Sequence, residues 1–352
     1  MPRILFPWTL VGMLLLNGCA APTASDQPAS TPTPLATGLE APWSMVYAQG
    51  SLLVSERDSG RIVEILDSGQ HQEVARVDGV AAQGEGGLLG LAFLAPNQLY
   101  AYSTTESGNR IQQFTVQGTT GSLSLSAPRT LLSALPSASI HNGGRLAVGP
   151  DGMLYASVGD AADPQQAQDL QQLGGKILRM APDGSIPDDN PFSGTYVYSY
   201  GHRNVQGMAW SSDGTMYASE FGQNTWDELN IIEAGGNYGW PLVEGSGGTT
   251  DQYTDPIAQW APSEASPSGI AIVDDTLYVA NLRGALLRSV SLDSPDSQSE
   301  LLEGEHGRLR DALLSENGDL LVLTSNTDGR GNPTPQDDQI LGIKLVPQSP
   351  TG

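Results

Sequence analysis

LAVGPDGMLYASVGD, residues 146–160, is the stretch that decides the fold. A short apolar run leads into a turn of Pro, Asp and Gly, and apolar and polar residues alternate with period two after the turn. Alternation of this period predicts β-strands, and the Asp-Gly joint predicts a tight hairpin turn. The stretch therefore predicts two short antiparallel strands.

The same pattern occurs five more times along the chain. The further copies are MVYAQGSLLVSE from Met45, LAFLAPNQLYAYS from Leu91, MAWSSDGTMYASE from Met208, IAIVDDTLYVANL from Ile270 and ALLSENGDLLVLTS from Ala312. A third strand-like run follows each copy: RIVEI from Arg61, RIQQF from Arg110, KILRM from Lys176, ELNII from Glu228, LLRSV from Leu286 and QILGI from Gln339. Copies that recur every ~45 to 60 residues are typical of propeller blades. The sequence predicts an all-β, six-bladed β-propeller over residues 38–346.

The N-terminal segment has the features of a lipoprotein leader. The apolar run from Ile4 to Leu16 is too short for a good transmembrane helix and fits a secretory signal. It ends in Leu-Asn-Gly-Cys, which resembles the bacterial lipobox, so residues 1–19 are predicted to be a signal peptide with lipidation at Cys19. Residues 20–37 are rich in Ala, Pro, Thr and Ser and are predicted to be a flexible tether, and residues 347–352 a tail. We expect a periplasmic or cell-surface protein held to the membrane only by its lipid, with plain secretion as the alternative.

The charge of the chain is strongly negative. Thirty-nine acidic residues stand against 16 basic ones, for a net charge of −23, and Lys176 and Lys344 are the only lysines. This charge argues against a nucleic-acid partner and against binding to an anionic bilayer by charge alone. In so acidic a chain, the neighbouring Arg308 and Arg310 suggest an anionic ligand, although salt bridges to nearby acids would also explain them.

Three segments depart from the repeat and are candidates for chemistry. In IHNGGR, residues 140–145, His141 is a candidate general base or a hydrogen-bonded turn histidine. In GHRNVQG, residues 201–207, the polar side chains could grip a ligand rich in carbonyl or carboxylate groups, or form a structural network between blades. The acidic, glycine-rich loops of residues 220–240 could supply the oxygen ligands that calcium needs, although no EF-hand spacing is present.

Together these motifs resemble the glucose/sorbosone dehydrogenase family, the soluble quinoprotein aldose sugar dehydrogenases. The matching segments are GLEAPWSMVY, GEGGLLGLAF, HNGGRLAVGPDGMLY, GDAADPQQAQDLQQLGGKILR, DGSIPDDNPF, YGHRNVQGMAW, DELNIIEAGGNYGWP and GRLRDALL, with GHRNVQG and NYGWP the most specific. The resemblance implies oxidation of aldose sugars at C1 to the lactone, dependent on pyrroloquinoline quinone (PQQ) and Ca²⁺. It also implies that electrons pass to an external acceptor. We expect a monomer or a homodimer.

The resemblance implies roles for individual residues. His141 falls at the family's catalytic base, Asp160 at the carboxylate that orients this base, and Arg203 at the arginine beside the quinone carbonyls. The positions implied to contact the cofactor are Glu85, Arg203, Asn204, Arg283, Arg308 and Arg310. Many relatives have Gln at the position of Glu85, so its added negative charge is expected to weaken cofactor binding or to alter sugar preference.

The resemblance also implies calcium ligands. The backbone carbonyls of Gly222 and Gln223 fall where the family binds the calcium ion that touches the cofactor, and Asp227, Glu228 and Tyr238 fall near a second, structural calcium ion. The family usually has Pro after the glycine, so Gln223 is a departure that is expected to make this loop less rigid.

Two other function classes remain open on the sequence. A calcium-dependent lactonase or sugar hydrolase on the same scaffold would use acidic metal ligands and a water molecule, and would have no use for the cofactor-binding arginines. A non-catalytic, sugar-binding propeller is favoured by the departures at Glu85 and Gln223. The presence of His141, Asp160 and Arg203 argues against this second class.

Overall fold

A computed structural model describes residues 2, 31–247 and 252–345 and confirms the six-bladed β-propeller. Six separate antiparallel sheets follow one another along the chain, five of four strands and one of five. Within the described residues there is one 3-10 turn, Pro164–Gln168, and no α-helix. No helix in these ranges is long and apolar enough to span a bilayer. The predicted signal peptide with Cys19 (apart from Pro2), residues 20–30 of the tether and the C-terminal tail lie outside the described residues.

The first three blades follow a short N-terminal strand, β1 (Thr33–Ala36). Blade 1 consists of β2 (Pro42–Ala48), β3 (Ser51–Glu56), β4 (Arg61–Ile65) and β5 (His71–Arg76). Blade 2 consists of β6 (Leu88–Leu94), β7 (Gln98–Thr105), β8 (Gly108–Gln117), β9 (Ser124–Leu125) and β10 (Arg129–Leu135). Blade 3 consists of β11 (Leu146–Val148), β12 (Leu154–Val158), β13 (Lys176–Met180) and β14 (Val197–Tyr200).

The last three blades complete the ring. Blade 4 consists of β15 (Val205–Trp210), β16 (Met216–Glu220), β17 (Asp227–Ile232) and β18 (Ala258–Trp260). Blade 5 consists of β19 (Pro267–Val273), β20 (Thr276–Asn281), β21 (Leu286–Ser291) and β22 (Gln298–Leu301). Blade 6 consists of β23 (Leu309–Leu314), β24 (Leu320–Thr324), β25 (Ile340–Ile343) and the N-terminal β1.

The first strand of each blade lies nearest the axis. β2, β6, β11, β15, β19 and β23 contact their neighbours in a closed ring and line a central cavity of about 220 Å³. The second strand of most blades is buried along its whole length. Apolar side chains pack between neighbouring sheets, as in the cluster of Tyr100, Leu154 and Leu178 from blades 2 and 3. Burial of this apolar surface is the main driving force that holds the blades together.

The N-terminal strand closes the ring. β1 pairs antiparallel with β25 through Thr33 with Gly342, Pro34 with Leu341 and Ala36 with Ile340. The prediction that the flexible tether extends to residue 37 is therefore wrong for residues 33–36. The free edge of β25 offers hydrogen-bond partners to this segment, which would otherwise expose its backbone to water. The propeller domain begins at Thr33.

Strand direction brings the candidate residues to one end of the propeller. The loops that precede each first strand and follow each second strand emerge at the same end, because the two strands are antiparallel. His141 precedes β11, Asp160 follows β12, Arg203 precedes β15 and Arg308 precedes β23. This end, which we call the loop face, carries the residues that the motifs singled out.

Candidate active site

A cleft of about 310 Å³ opens on the loop face. Nine of the residues expected at the site line it: Glu85, His141, Arg203, Asn204, Gly222, Gln223, Asp227, Arg283 and Arg308. A smaller cavity of about 30 Å³ adjoins the cleft on the axis and is lined by Arg310 among others. Loops of five blades thus bring into one place residues that are far apart in the sequence.

His141 and Asp160 form a hydrogen-bonded pair at the wall of the cleft. Nδ1 of His141 lies 2.7 Å from Oδ1 of Asp160, and Nη2 of Arg203 lies 2.7 Å from Nε2 of His141. An ionised carboxylate only accepts hydrogen bonds and a guanidinium only donates them. The neutral imidazole therefore carries its proton on Nδ1, and the lone pair of Nε2 accepts from Arg203, which also lines the cleft.

Two hydrogen bonds hold the backbone of His141. Its φ of +57° lies in the left-handed region, which is sparsely populated for residues other than glycine. Its N–H donates to Oε2 of Glu85 at 2.8 Å, and its carbonyl accepts from the N–H of Ala161 at 3.1 Å. Such a conformation persists where the surrounding structure fixes it. Hydrogen bonds on both sides of the backbone of His141 thus hold its imidazole in place.

Asp160 is held from behind by Trp240. The carboxylate is fully buried, and its Oδ2 accepts from Nε1 of Trp240 at 2.9 Å. Its Oδ1 also accepts from the N–H of Ala162 at 2.9 Å. The indole ring of Trp240 lies 5.6 Å from the guanidinium of Arg203, so one side chain supports two members of the site. The sequence singled out the NYGWP string without indicating this role.

Arg203 sits on a loop that Glu220 fixes. Oε1 of Glu220 accepts from the backbone N–H groups of Arg203 and Asn204, while its Oε2 pairs with Nδ1 of His202 at 2.9 Å. The guanidinium itself donates to the carbonyl of Phe221 at 3.0 Å through Nη1. Burial lowers the pKa of Arg203 from its usual value, and the nearby Asp160 partly opposes this effect. The role of Glu220 was not predicted.

The two cavities carry an excess of positive charge. Six arginines line them, against three acidic residues: Arg57, Arg203, Arg283, Arg308, Arg310 and Arg330, against Glu85, Asp227 and Asp328. This excess is notable in a chain whose net charge is −23. Sequence analysis missed Arg57 in one loop and Asp328 and Arg330 in another, because a few charged residues in a loop carry no pattern that distinguishes them from other surface charges.

Several nitrogen atoms at the cavities lack a protein partner. Within the described residues, Nε of Arg203, Arg308 and Arg310 and Nδ2 of Asn204 are buried and make no hydrogen bond. Burial, with Arg145 as a second cause, lowers the pKa of Arg310 to about 9. Buried donors without partners are rare in proteins, because each one costs free energy. This arrangement indicates a ligand that brings acceptor oxygen atoms into the cleft.

The residues expected at calcium sites do not all face the cleft. Asp227 lines it and accepts from the N–H groups of Gly222 at 2.8 Å and Ser266 at 2.7 Å. Burial raises the pKa of Asp227 to about 6. Successive side chains of a strand point to opposite faces. Glu228 accordingly accepts from the N–H of Gly245 at 2.7 Å, away from Asp227.

Tyr238 lies behind the cleft. Its hydroxyl donates to the carbonyl of Ile231 at 2.7 Å and accepts from the N–H of Glu233 at 2.9 Å. Its ring stacks on His202 with ring centroids 4.6 Å apart. Within the described ranges, no group of three His, Cys, Asp or Glu side chains is arranged to hold a metal ion. The calcium roles of Asp227, Glu228 and Tyr238 stay predictions.

The family profile described as Glucose / Sorbosone dehydrogenase matches residues 39–333, which is most of the chain. The chain belongs to the glucose/sorbosone dehydrogenase family. The resemblance to this family, which the sequence motifs indicated, is thereby confirmed.

Three proteins illustrate what the chain is similar to. The solved PQQ-bound form of an aldose sugar dehydrogenase from Streptomyces coelicolor is 45% identical, with 91% of this chain and 100% of that chain covered and a TM-score of 0.85. The aldose sugar dehydrogenase YliI of Escherichia coli is 31% identical, with 83% of this chain and 89% of that protein covered. Quinoprotein glucose dehydrogenase B of Acinetobacter calcoaceticus is 35% identical over 249 residues, with 59% of this chain and 52% of that protein covered.

Proposed function

We propose that this protein is a PQQ-dependent aldose sugar dehydrogenase that oxidises sugars at C1 to the lactone and passes the electrons to an external acceptor. One observation carries the proposal: a His–Asp pair with a fully buried carboxylate lies at a cleft whose arginines have donor atoms without partners. The relatives from Streptomyces coelicolor and Escherichia coli are both named aldose sugar dehydrogenases, which supports the same activity for this protein.

The residues of the cleft fit this cofactor. PQQ carries three carboxylates and two quinone carbonyls, and arginine binds carboxylates through paired hydrogen bonds. Arg308 and Arg310 would hold carboxylates, while Arg203 and Asn204, which lie beside the base, would contact the quinone side. When bound, the cofactor would supply the group that accepts hydride, and the protein would position it and move the proton.

His141 would act as the general base. Its Nε2 lone pair accepts a hydrogen bond from Arg203 at 2.7 Å, and the C1 hydroxyl of a sugar would take over this acceptor. The proton of that hydroxyl passes to Nε2 as the C1 hydride leaves. Asp160 then stabilises the imidazolium through the 2.7 Å hydrogen bond to Nδ1. A positioned base of this kind contributes about 10² to 10⁴ in rate.

Arg203 would change partner in the same step. Once the sugar hydroxyl donates its hydrogen bond to Nε2 of His141, Nη2 of Arg203 would lose its bond to that atom and be free to donate into the cleft. Nη1 would keep its hydrogen bond to the carbonyl of Phe221. Its Nε has no partner either. A guanidinium fixed at one edge by the backbone can stabilise negative charge that develops beside it without further reorganisation.

Calcium forms part of this proposal. The turn that contains Gly222 and Gln223 lines the cleft, and Oε1 of Glu244 accepts from the N–H groups of Gln223 at 2.6 Å and Asn224 at 3.0 Å. Two further N–H bonds of the same turn, at Thr225 and Trp226, reach this oxygen atom. Glu244 thus fixes the turn in which Gln223 stands where the resemblance implies proline. Calcium on the two carbonyls would act as a Lewis acid toward the cofactor.

We further propose that the protein is anchored by lipid at Cys19 on the outer side of a bacterial membrane. The turn between β23 and β24 lies at the end of the propeller opposite the loop face. Thr33 of β1 pairs with Gly342, near the end of β25 that lies beside this turn, whereas Ala36 pairs with Ile340 near the loop face. The chain thus enters the domain at the end opposite the cleft. An anchor at Cys19 would hold the cleft away from the bilayer, where a diffusible electron acceptor reaches it. Labelling of intact cells with a membrane-impermeant reagent, compared with a Cys19→Ser variant, tests the anchor.

The test of the activity is reconstitution. Residues 20–352 are purified, PQQ and CaCl₂ are added separately and together, and dye reduction is followed with glucose and a panel of aldoses. The proposal predicts reduction that needs sugar and PQQ and is increased by calcium. Hydrolysis of glucono-lactone without PQQ would instead support a lactonase. Sugar binding by calorimetry with neither reaction would support a non-catalytic propeller.

A further inference from the structure

Glu85 and Arg330 form an ion pair across the mouth of the cleft. Oε1 of Glu85 lies 3.0 Å from Nη1 of Arg330, and both residues line the cleft. Glu85 belongs to the loop before β6, and Arg330 to the loop between β24 and β25, so the pair joins blades 2 and 6. The other oxygen atom, Oε2, accepts from the backbone N–H of His141 at 2.8 Å.

This ion pair contributes little to the stability of the fold. The side chain of Arg330 is 52% exposed and that of Glu85 is 22% exposed. Exposed ion pairs of this kind contribute little to stability. The pair is instead placed where its charges act on the site, since the charge of Glu85 also acts on the partly buried Arg203.

Arg330 is tied into the rim of the cleft. Its backbone N–H donates to Oδ1 of Asp328 at 2.9 Å, and Oδ2 of Asp328 lies 3.0 Å from Nη2 of Arg308. Charges therefore alternate around the rim in the order Glu85, Arg330, Asp328, Arg308. A carboxylate that faces a site for an anion would repel it, and this order places a cation beside each carboxylate.

We propose that Glu85 and Arg330 act as one unit, in which Glu85 positions His141 through the backbone and Arg330 cancels the charge of Glu85 toward the anionic cofactor. The inference rests on the proposed function for the identity of the anion. The role of Glu85 in fixing the left-handed backbone of His141 is independent of it. Glu85 is thus a positioning residue, and its charge does not weaken cofactor binding while Arg330 is present.

The first test separates the carboxylate's hydrogen bond from its charge. Hydrogen–deuterium exchange of the peptide that contains His141 is measured without cofactor in the wild type, E85Q and E85A. Gln keeps an acceptor for the N–H of His141, so E85Q is expected to retain protection and E85A to lose it. With cofactor, E85Q is expected to keep a kcat about ten times that of E85A with similar KM. Equal exchange in all three proteins would overturn the positioning role.

The second test measures charge compensation by cofactor binding alone. PQQ affinity is determined by calorimetry for the wild type, R330Q, E85Q/R330Q and the matched control R76Q, whose arginine is also 52% exposed in an ion pair with Glu73, away from the cleft. R330Q is expected to bind PQQ about tenfold more weakly, the scale for one uncompensated charge near an anion. The double variant is expected to recover this loss, and R76Q to match the wild type.

Failure of the inference and failure of the proposed function are distinguishable. Wild-type protein that does not bind PQQ at all would refute the proposed function. Wild-type binding with no loss in R330Q, or with no recovery in E85Q/R330Q, would refute charge compensation and leave the proposed function in place. Thermal unfolding of each variant checks that it is folded.

Discussion

Replacement of Asp160 by Asn is expected to remove the base while leaving the fold intact. The carboxylate accepts three hydrogen bonds, from Nδ1 of His141 at 2.7 Å, the N–H of Ala162 at 2.9 Å and Nε1 of Trp240 at 2.9 Å. Asn offers one oxygen atom in place of two. One of its two orientations puts its NH₂ group against Nε1–H of Trp240, with two donors face to face in a fully buried site.

The other orientation changes the tautomer of His141. The NH₂ group then donates to Nδ1 of His141, the oxygen atom accepts from Trp240, and the bond to the N–H of Ala162 is lost. The imidazole proton moves to Nε2, where it faces Nη2 of Arg203, and Arg203 must shift. The cost is about 1–3 kcal/mol of stability for the unpaired buried groups. In this orientation Nε2 no longer carries a lone pair, and in the first orientation the imidazolium loses the carboxylate charge that stabilises it, so the rate is expected to fall by about 10² to 10⁴ in either case.

The assay is steady-state kinetics of the reconstituted enzyme, with cofactor affinity and urea unfolding measured alongside. D160N is expected to lower kcat by this factor, to change PQQ affinity by less than about threefold, and to keep a cooperative unfolding transition. The control is W240F, which removes one hydrogen bond to the same carboxylate but leaves the His141 tautomer unchanged, so kcat should fall by less than about tenfold. A D160N enzyme within about tenfold of wild-type kcat would refute the role assigned to the carboxylate of Asp160.

Three further predictions concern cofactor, ring closure and packing. Arg310→Met is expected to weaken PQQ binding at least about tenfold in calorimetry without lowering stability. The guanidinium contacts Gln206 and Trp43, but its Nε has no partner and burial of the cation costs free energy in the empty protein. Lower stability with unchanged binding would contradict this prediction. A chain that starts at residue 37 is expected to have a free energy of unfolding in urea about 2–3 kcal/mol lower than one that starts at residue 31, because the pairing of β1 with β25 is lost. Equal stability of the two chains would show that β1 does not close the ring. Gly159→Ala would place the new Cβ against the carbonyl of His141. The variant is therefore expected to lower kcat more than it changes KM, and to lower the free energy of unfolding by about 1–3 kcal/mol. A wild-type kcat would show that the loop accommodates the Cβ without displacing His141.

The sequence predicted the inner three strands of each blade because these strands are buried. Burial selects apolar residues with period two, and the predicted RIVEI and KILRM runs coincide with β4 and β13. The outer strands carry a weaker pattern: β5 (HQEVAR) is half exposed along its length. β1 could not be predicted, since TPLA has linker composition and its partner strand lies some 300 residues further along the chain.

Without the family resemblance, which named Glu85 and Arg283, the candidate site was predictable only where several functional residues are close in sequence. The strings around His141 and Arg203 each carry two or more polar groups beside glycine, and the structure brings them together. The contacts that support them join residues far apart: Trp240 reaches Asp160 over 80 positions and Arg330 reaches Glu85 over 245. A single chain contains no pattern that links such positions, because only the propeller closure places their loops side by side.

The most direct test of the central claim is the His141→Ala variant under full PQQ and calcium loading. The account predicts that this variant binds PQQ with an affinity within a few-fold of wild type, because the arginines hold the cofactor. It also predicts that sugar-dependent dye reduction falls by about 10² to 10⁴. Wild-type turnover by the loaded His141→Ala protein would contradict the account, because the proton would then leave the sugar by another route.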